Sequence, residues 1–143
     1  MAIQYLSGGI LNRTNSAEQG SGALLDLPYD MGWVAGYTDK CVAEDITVRT
    51  YGESIMPRSG EFIGEEGYID TEALGQSCIV DVLKNNSTIY STKPQFTNGQ
   101  SALSSGTIST TTFISGDKIT FKVTQTGSTT VGRGVRFTLK CRV

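Results

Sequence analysis

Asp117-Lys118-Ile119-Thr120-Phe121-Lys122-Val123-Thr124-Gln125 and Val135-Arg136-Phe137-Thr138-Leu139-Lys140-Cys141-Arg142-Val143 decide the fold class. In the first stretch Ile119, Phe121 and Val123 alternate with Lys118, Thr120, Lys122 and Thr124. In the second, Val135, Phe137, Leu139, Cys141 and Val143 alternate with Arg136, Thr138, Lys140 and Arg142. A period of two with one apolar and one wet face is the signature of half-buried strands, and the pair reads as a β-hairpin. The connection Gly127-Ser128-Thr129-Thr130-Val131-Gly132-Arg133-Gly134 is too long for a tight two-residue turn, so a flexible or adaptable loop is expected there. Two strands are not stable alone, and the rest of the chain must cover their apolar face.

Upstream, further short strands are expected at Ile46–Tyr51, Ser54–Met56, Gly60–Ile63, Gly67–Thr71, Ser77–Lys84, Ser87–Thr92 and Gly106–Phe113. Cys78, Val80 and Val82 share one face of a central strand, with Ile79, Asp81 and Leu83 on the other. Lys84-Asn85-Asn86-Ser87 supplies a two-residue turn, because Asn tolerates the positive φ of a type I′ hairpin. The polar, β-branched run from Gly106 suits an edge or a solvated outer face. These elements predict an all-β fold over residues 37–143, an antiparallel β-sandwich, with a jelly-roll arrangement ahead of an immunoglobulin-like one.

Residues 1–36 read differently. Ile3, Tyr5, Leu6, Ile10, Leu11, Leu24 and Leu25 are apolar anchors between polar, Gly-containing spacers, without a sustained period. An extended N-terminal arm is expected, which either covers an edge of its own sandwich or lies on a neighbouring subunit. Pro28-Tyr29-Asp30-Met31-Gly32-Trp33 closes the arm with turn residues and the sole tryptophan, expected to pin it to the core.

Charge narrows the function classes. The net charge is −2, which argues against a nucleic-acid partner bound through phosphate neutralisation. Residues 1–84 carry 13 acidic and 5 basic side chains, and residues 85–143 carry 1 acidic and 7 basic. Either the halves interleave in one sheet system and neutralise each other, or they form a bipolar surface that docks against copies or a partner. Histidine is absent, which removes the commonest general base and neutral metal ligand. Glu61, Glu65, Glu66, Asp70 and Glu72 form the densest carboxylate group and read as a solvated acidic turn, with a glycosidase pair or a calcium site as the competing readings. Tyr37, Tyr51, Phe62, Tyr68, Tyr90, Phe96 and Phe113 read as core aromatics before they read as a sugar platform. The Gly127–Gly134 loop lacks the G-K-[ST] ending of a phosphate loop. No catalytic residues, cofactor or metal are expected.

Cys41, Cys78 and Cys141 make no C-x-x-C pair. Cys78 and Cys141 fall at apolar strand phases; the odd count favours reduced thiols, with three pairings open to a single disulfide. The start Met1-Ala2-Ile3-Gln4-Tyr5-Leu6 lacks a basic n-region and an apolar run of signal length, and no run reaches membrane-spanning length. A chain assembled in the cytoplasm, without a membrane partner, is expected. The glycosylation-like Asn12-Arg13-Thr14, Asn85-Asn86-Ser87 and Asn86-Ser87-Thr88 then read as chance matches.

Four stretches resemble small jelly-roll modules of bacteriophage virion structural proteins: Val80-Asp81-Val82-Leu83-Lys84-Asn85 with Thr88-Ile89-Tyr90-Ser91-Thr92-Lys93-Pro94, then Gly116-Asp117-Lys118-Ile119, then Val123–Thr130, then Gly132-Arg133-Gly134-Val135. The family pattern reads VDVLKNG-T-IFSTKP, GD-I and Q-GSTT-GKGL. Asn86 stands here for Gly and Val135 for Leu, and both are compatible with the turn and strand they occupy. The resemblance covers residues 78–140 closely and 40–72 loosely, and does not reach the first 36. It implies a virion part: a capsid decoration (cement) protein bound to the major capsid protein or other virion subunits, and a homo-oligomer, trimer or dimer. A tail-fibre, tail-tip or baseplate component is the alternative, and a carbohydrate-binding or carbohydrate-active domain on the same fold the third reading. The arm anchors are then candidate partner-binding residues, and Ser128, Thr129, Thr130 and Arg133 candidate contact residues.

Overall fold

The computed structural model describes residues 27–143, which are all-β and antiparallel, consistent with a β-sandwich; no helix occurs among them. The strands are β1 (Met31–Ala35), β2 (Arg49–Ile55), β3 (Gly60–Thr71), β4 (Cys78–Lys84), β5 (Ser87–Thr88), β6 (Tyr90–Thr92), β7 (Gln95–Phe96), β8 (Thr107–Ile108), β9 (Thr112–Phe113), β10 (Lys118–Gln125) and β11 (Arg133–Arg142). One sheet runs β1-β11-β3-β9. A second runs β2-β10-β4-β5, with β7 also on β4, and β6 pairs with β8. The pairing is nested: β1 lies on β11, β2 on β10, β3 on β9 and β4 on β5.

The two terminal strands do not form the expected hairpin. β10 lies between β2 and β4, whereas β11 lies between β1 and β3 in the other sheet. Alternation reports which face of a strand is buried and is silent on which strand lies beside it. Here Ile119, Phe121 and Val123 meet Val135, Phe137, Leu139 and Cys141 across the core, every one buried. Phe121 and Phe137 stack at 4.9 Å between centroids, and Trp33 lies on Phe121 at 5.7 Å. Sheets in a sandwich are about 10 Å apart, a gap the connection from Thr126 to Gly132 spans with ease. Gly127 is required in it, since a Cβ there would come within 1.9 Å of the Thr130 carbonyl oxygen.

Met31–Ala35, expected within the arm, is a strand of the first sheet. Met31, Trp33 and Ala35 turn inward while Gly32 and Val34 face out, and β1 pairs in register with Leu139 through Val135. Pairing continues upstream, where the Leu27 amide donates to Val143 and the Tyr29 amide to Cys141. Five residues containing a glycine are too short to display a period, so β1 is recognisable only beside β11. Trp33 does pin this segment to the core.

Gly60–Ile63 and Gly67–Thr71 are one strand, β3. Its register against β11 slips between Lys140 and Cys141, opposite Gly64 and Phe62. That bulge changes the phase, so Phe62 and Glu65 both turn inward. Lys84 and Ser87 pair across the expected type I′ turn, with Asn85 at φ 50° and Asn86 at φ 73°. Gly106–Phe113 breaks into β8 and β9, of which β9 is an edge.

Candidate contact surfaces

Three surfaces carry side chains that sequence or structure singles out. The first is the end of the sandwich built around Gly127–Gly134. Ser128 and Thr129 are exposed and Thr130 is half-buried. The loop's backbone is held against the β3–β4 connection: the Leu74 amide donates to the Thr130 carbonyl, and the Thr129 amide to that of Leu74, each at 2.9 Å. The Gln76 side-chain amide donates to the Thr126 carbonyl at 2.8 Å, and the Gly75 amide to Asn98 Oδ1 at 3.1 Å. The loop's backbone is therefore tied to the β3–β4 connection at Thr129 and Thr130, and at Thr126 just before it. Arg133 belongs to β11 and is ion-paired with Asp45 at 2.7 Å, so it does not share the bracing of the Ser128–Thr129 tip. The anchors Ile3, Tyr5, Leu6, Ile10, Leu11, Leu24 and Leu25 lie outside the described residues.

The second is a junction between the β4–β5 turn and the turn entering β10. Asn85 Nδ2 donates to Asp117 Oδ1 at 2.9 Å, the Lys118 amide to Asn85 Oδ1 at 2.9 Å, and the Asn85 amide to the Lys118 carbonyl at 2.8 Å. Asp117 also accepts from the Ile114 amide, and Lys84 Nζ lies 3.9 Å away. The Ile114 amide first, then Asn85, hold the Asp117 carboxyl below the usual carboxylate range. Two motifs far apart in sequence thus close one corner of the fold.

The third surface is the outer face of the β1-β11-β3 sheet. Outward positions of β11 carry Arg136, Lys140 and Arg142, and those of β3 carry Asp70, Glu66 and Glu61. They pair as Arg136–Asp70 at 2.7 Å, Lys140–Glu66 at 2.6 Å and Arg142–Glu61 at 3.1 Å. The expected acidic turn is thus a strand, whose acids neighbour the bases of β11. Glu65 points inward instead, accepting from the Gly106 amide at 2.6 Å and from the Tyr90 hydroxyl at 3.4 Å. Glu72 accepts from the Ser101 hydroxyl. Among the described residues no group of three or more Cys, Asp or Glu is placed to hold a metal.

Tyr37 completes this face. Its hydroxyl donates to Asp70 Oδ2 at 2.8 Å, and the Arg136 guanidinium lies 5.2 Å from its ring centre. Burial first, and the Asp70 hydrogen bond second, push the Tyr37 hydroxyl up to about 12. Arg136 and Tyr37 together hold Asp70 low, and Lys140 does the same for Glu66. Tyr37 had no distinguishing signal in the sequence, because its partners come from β3 and β11. Phe62, Tyr90, Phe96 and Phe113 are core residues, whereas Tyr68 is exposed.

The two charge halves interleave. Lys93–Asp81 and Lys118–Glu53 join them on the second sheet as the three rungs above do on the first. Asp81 is buried beneath Lys93 and accepts from the Thr88 hydroxyl. The three cysteines are free, Cys41 exposed and Cys78 and Cys141 buried. No helix among the described residues is long and apolar enough to cross a membrane. Comparison with known proteins finds no matching family model, no matching curated protein and no matching solved structure.

Proposed function

We propose that this chain is a bacteriophage virion structural protein, a capsid decoration protein that binds and stabilises the shell. Its body is read as a jelly roll and its N-terminal residues as the anchor to the major capsid protein or to neighbouring virion subunits. The observation that carries the reading is the nested strand pairing among the described residues, β1 with β11 and β2 with β10, split between two sheets. A long antiparallel hairpin rolled into two layers gives that order, which is how a jelly roll is wound.

The phage-like stretches support the reading through their place in that winding. Lys84-Asn85 and Gly116-Asp117-Lys118 meet at the second surface described above, and the stretch from Val123 to Thr130 leads into the braced end loop. They act as determinants of the fold, and the reading assigns them no catalytic role. Quantitative mass spectrometry of purified particles tests the assignment. Hundreds of copies per particle are expected for a decoration protein; a few tens or fewer would move the chain to the tail, and absence from particles would overturn the virion reading.

A further inference from the structure

We infer that the outer face of the β1-β11-β3 sheet is an isologous interface between two copies of this chain, the strands of the two faces running in the same direction. The inference concerns contacts between copies and stands or falls independently of what else the chain binds. Its basis is a charge pattern that is complementary to itself. On this face the bases occupy one strand (Arg136, Lys140 and Arg142 on β11) and the acids its neighbour (Glu61, Glu66 and Asp70 on β3).

Two flat faces related by a two-fold rotation must have the axis in the plane between them. With the axis parallel to the strands and midway between β11 and β3, each β3 lies over β11 of the partner subunit, so the acidic strand covers the basic one, with Glu61 over Arg142 of the partner subunit and Glu66 two residues along from Lys140 of the partner subunit. With the axis perpendicular to the strands, β3 covers β3 and acids face acids. The electrostatics therefore select one operator.

The row across the middle of the face fits the same operator. Val34, Arg136, Tyr68 and Ala102 are neighbours in register on successive strands and the adjoining bridge. Rotation brings Arg136 over Tyr68 of the partner subunit, and Val34 over Ala102 of the partner subunit. A guanidinium over an aromatic ring and a small apolar contact on each flank are favourable pairings. Val34 is 55% and Tyr68 52% exposed, the kind of apolar surface an interface would cover.

The contact is small. Four ribbons at ~4.8 Å and six residue steps at ~3.3 Å give on the order of 400 Å² per copy, about half of a standard interface. Association is accordingly weak and concentration-dependent, and becomes important where copies are held close together.

Sedimentation equilibrium of the full chain, taken up to about millimolar concentration, tests the inference with two variants. Tyr68→Arg places a base opposite Arg136 of the partner subunit and is expected to raise the dimer dissociation constant by more than about tenfold. The double exchange Glu66→Lys with Lys140→Glu keeps the pair within each copy and the complementarity between two exchanged copies. It is expected to dimerise with itself but to pair poorly with the unexchanged chain, where like charges meet; mixing labelled samples reads this as self-sorting. A chain that stays monomeric throughout, dimers indifferent to Tyr68→Arg in a variant with an unchanged circular dichroism spectrum, or free mixing of exchanged and unexchanged chains would each overturn the inference.

Discussion

Replacing Phe121 by alanine probes the two-layer core at its centre. The ring is fully buried, lies nearly parallel to Trp33 at 5.7 Å and stacks on Phe137 of the opposite sheet at 4.9 Å. Truncating a buried Phe costs about 3–5 kcal/mol, and an aromatic pair adds about 0.5–1.5 kcal/mol beyond area. With aromatic partners on two sides, Phe121→Ala is expected in the upper part of that range, about 4–5 kcal/mol. At about 4 °C per kcal/mol for a domain of this size, the melting midpoint falls by about 15–20 °C.

Urea unfolding followed by far-ultraviolet circular dichroism, with Trp33 fluorescence as a second probe, measures the loss. The denaturant slope should be unchanged. Phe121→Leu, expected to cost about 1–2 kcal/mol, serves if the alanine variant does not fold. In a double-mutant cycle with Phe137→Ala, a coupling of about 0.5–1.5 kcal/mol is expected. Val34→Ala, on the outer face, should stay within about 0.5 kcal/mol. A loss below about 1 kcal/mol for Phe121→Ala, or no coupling to Phe137, would refute the placement of β10 and β11 in facing sheets.

Burial pushes the Cys78 and Cys141 thiols from 9.0 up to about 12, so their contribution to stability is complete below about pH 9 and is lost as pH rises toward 12. Tyr37 adds to the same alkaline limb, and a thiol reagent should find Cys41 alone reactive in the native protein and all three cysteines in denaturant. On the acid side, Glu66, Asp70, Glu72 and Asp117 are held below their usual values. The stability they supply is present above the normal carboxylate range and disappears as pH falls through their lowered values, and unfolding midpoints measured against pH should show that limb weakening in salt. Deleting residues 1–26 should leave a cooperatively folded sandwich that binds particles more weakly. Extending the deletion to residue 36 removes β1 and its contact between Trp33 and Phe121, and should unfold or strongly destabilise the domain, as circular dichroism would report.

How much of this was legible in the sequence depends on whether the information is local. Ile119, Phe121, Val123 and the alternating residues of β11 announce two strands with one buried face each, and Asn85-Asn86 announces its own turn through backbone conformation. Both are properties of a few adjacent residues. The partners of those strands are not local, and the same alternation serves a hairpin and two facing sheets equally well. β1 was hidden for a related reason: Met31–Ala35 is too short to show a period and acquires one only from register with β11.

The β3 bulge concealed the acids. Once Phe62 and Glu65 both turn inward, simple alternation misassigns every outward residue beyond them, so Glu66 and Asp70 could not be matched to Lys140 and Arg136 beforehand. The basic stripe on β11 was readable, but its acidic counterpart was not. At the sandwich end, Ser128 and Thr129 were rightly placed in a connection, while the brace from Leu74 and Gln76 depends on a segment some fifty residues away.

Cryo-electron microscopy of the phage particles to which the chain is proposed to belong tests the proposed function most directly. The account predicts sandwich-shaped density over the icosahedral shell, with the N-terminal residues contacting the capsid subunits beneath. Density for this chain at the tail alone, or at no position on the particle, would contradict it.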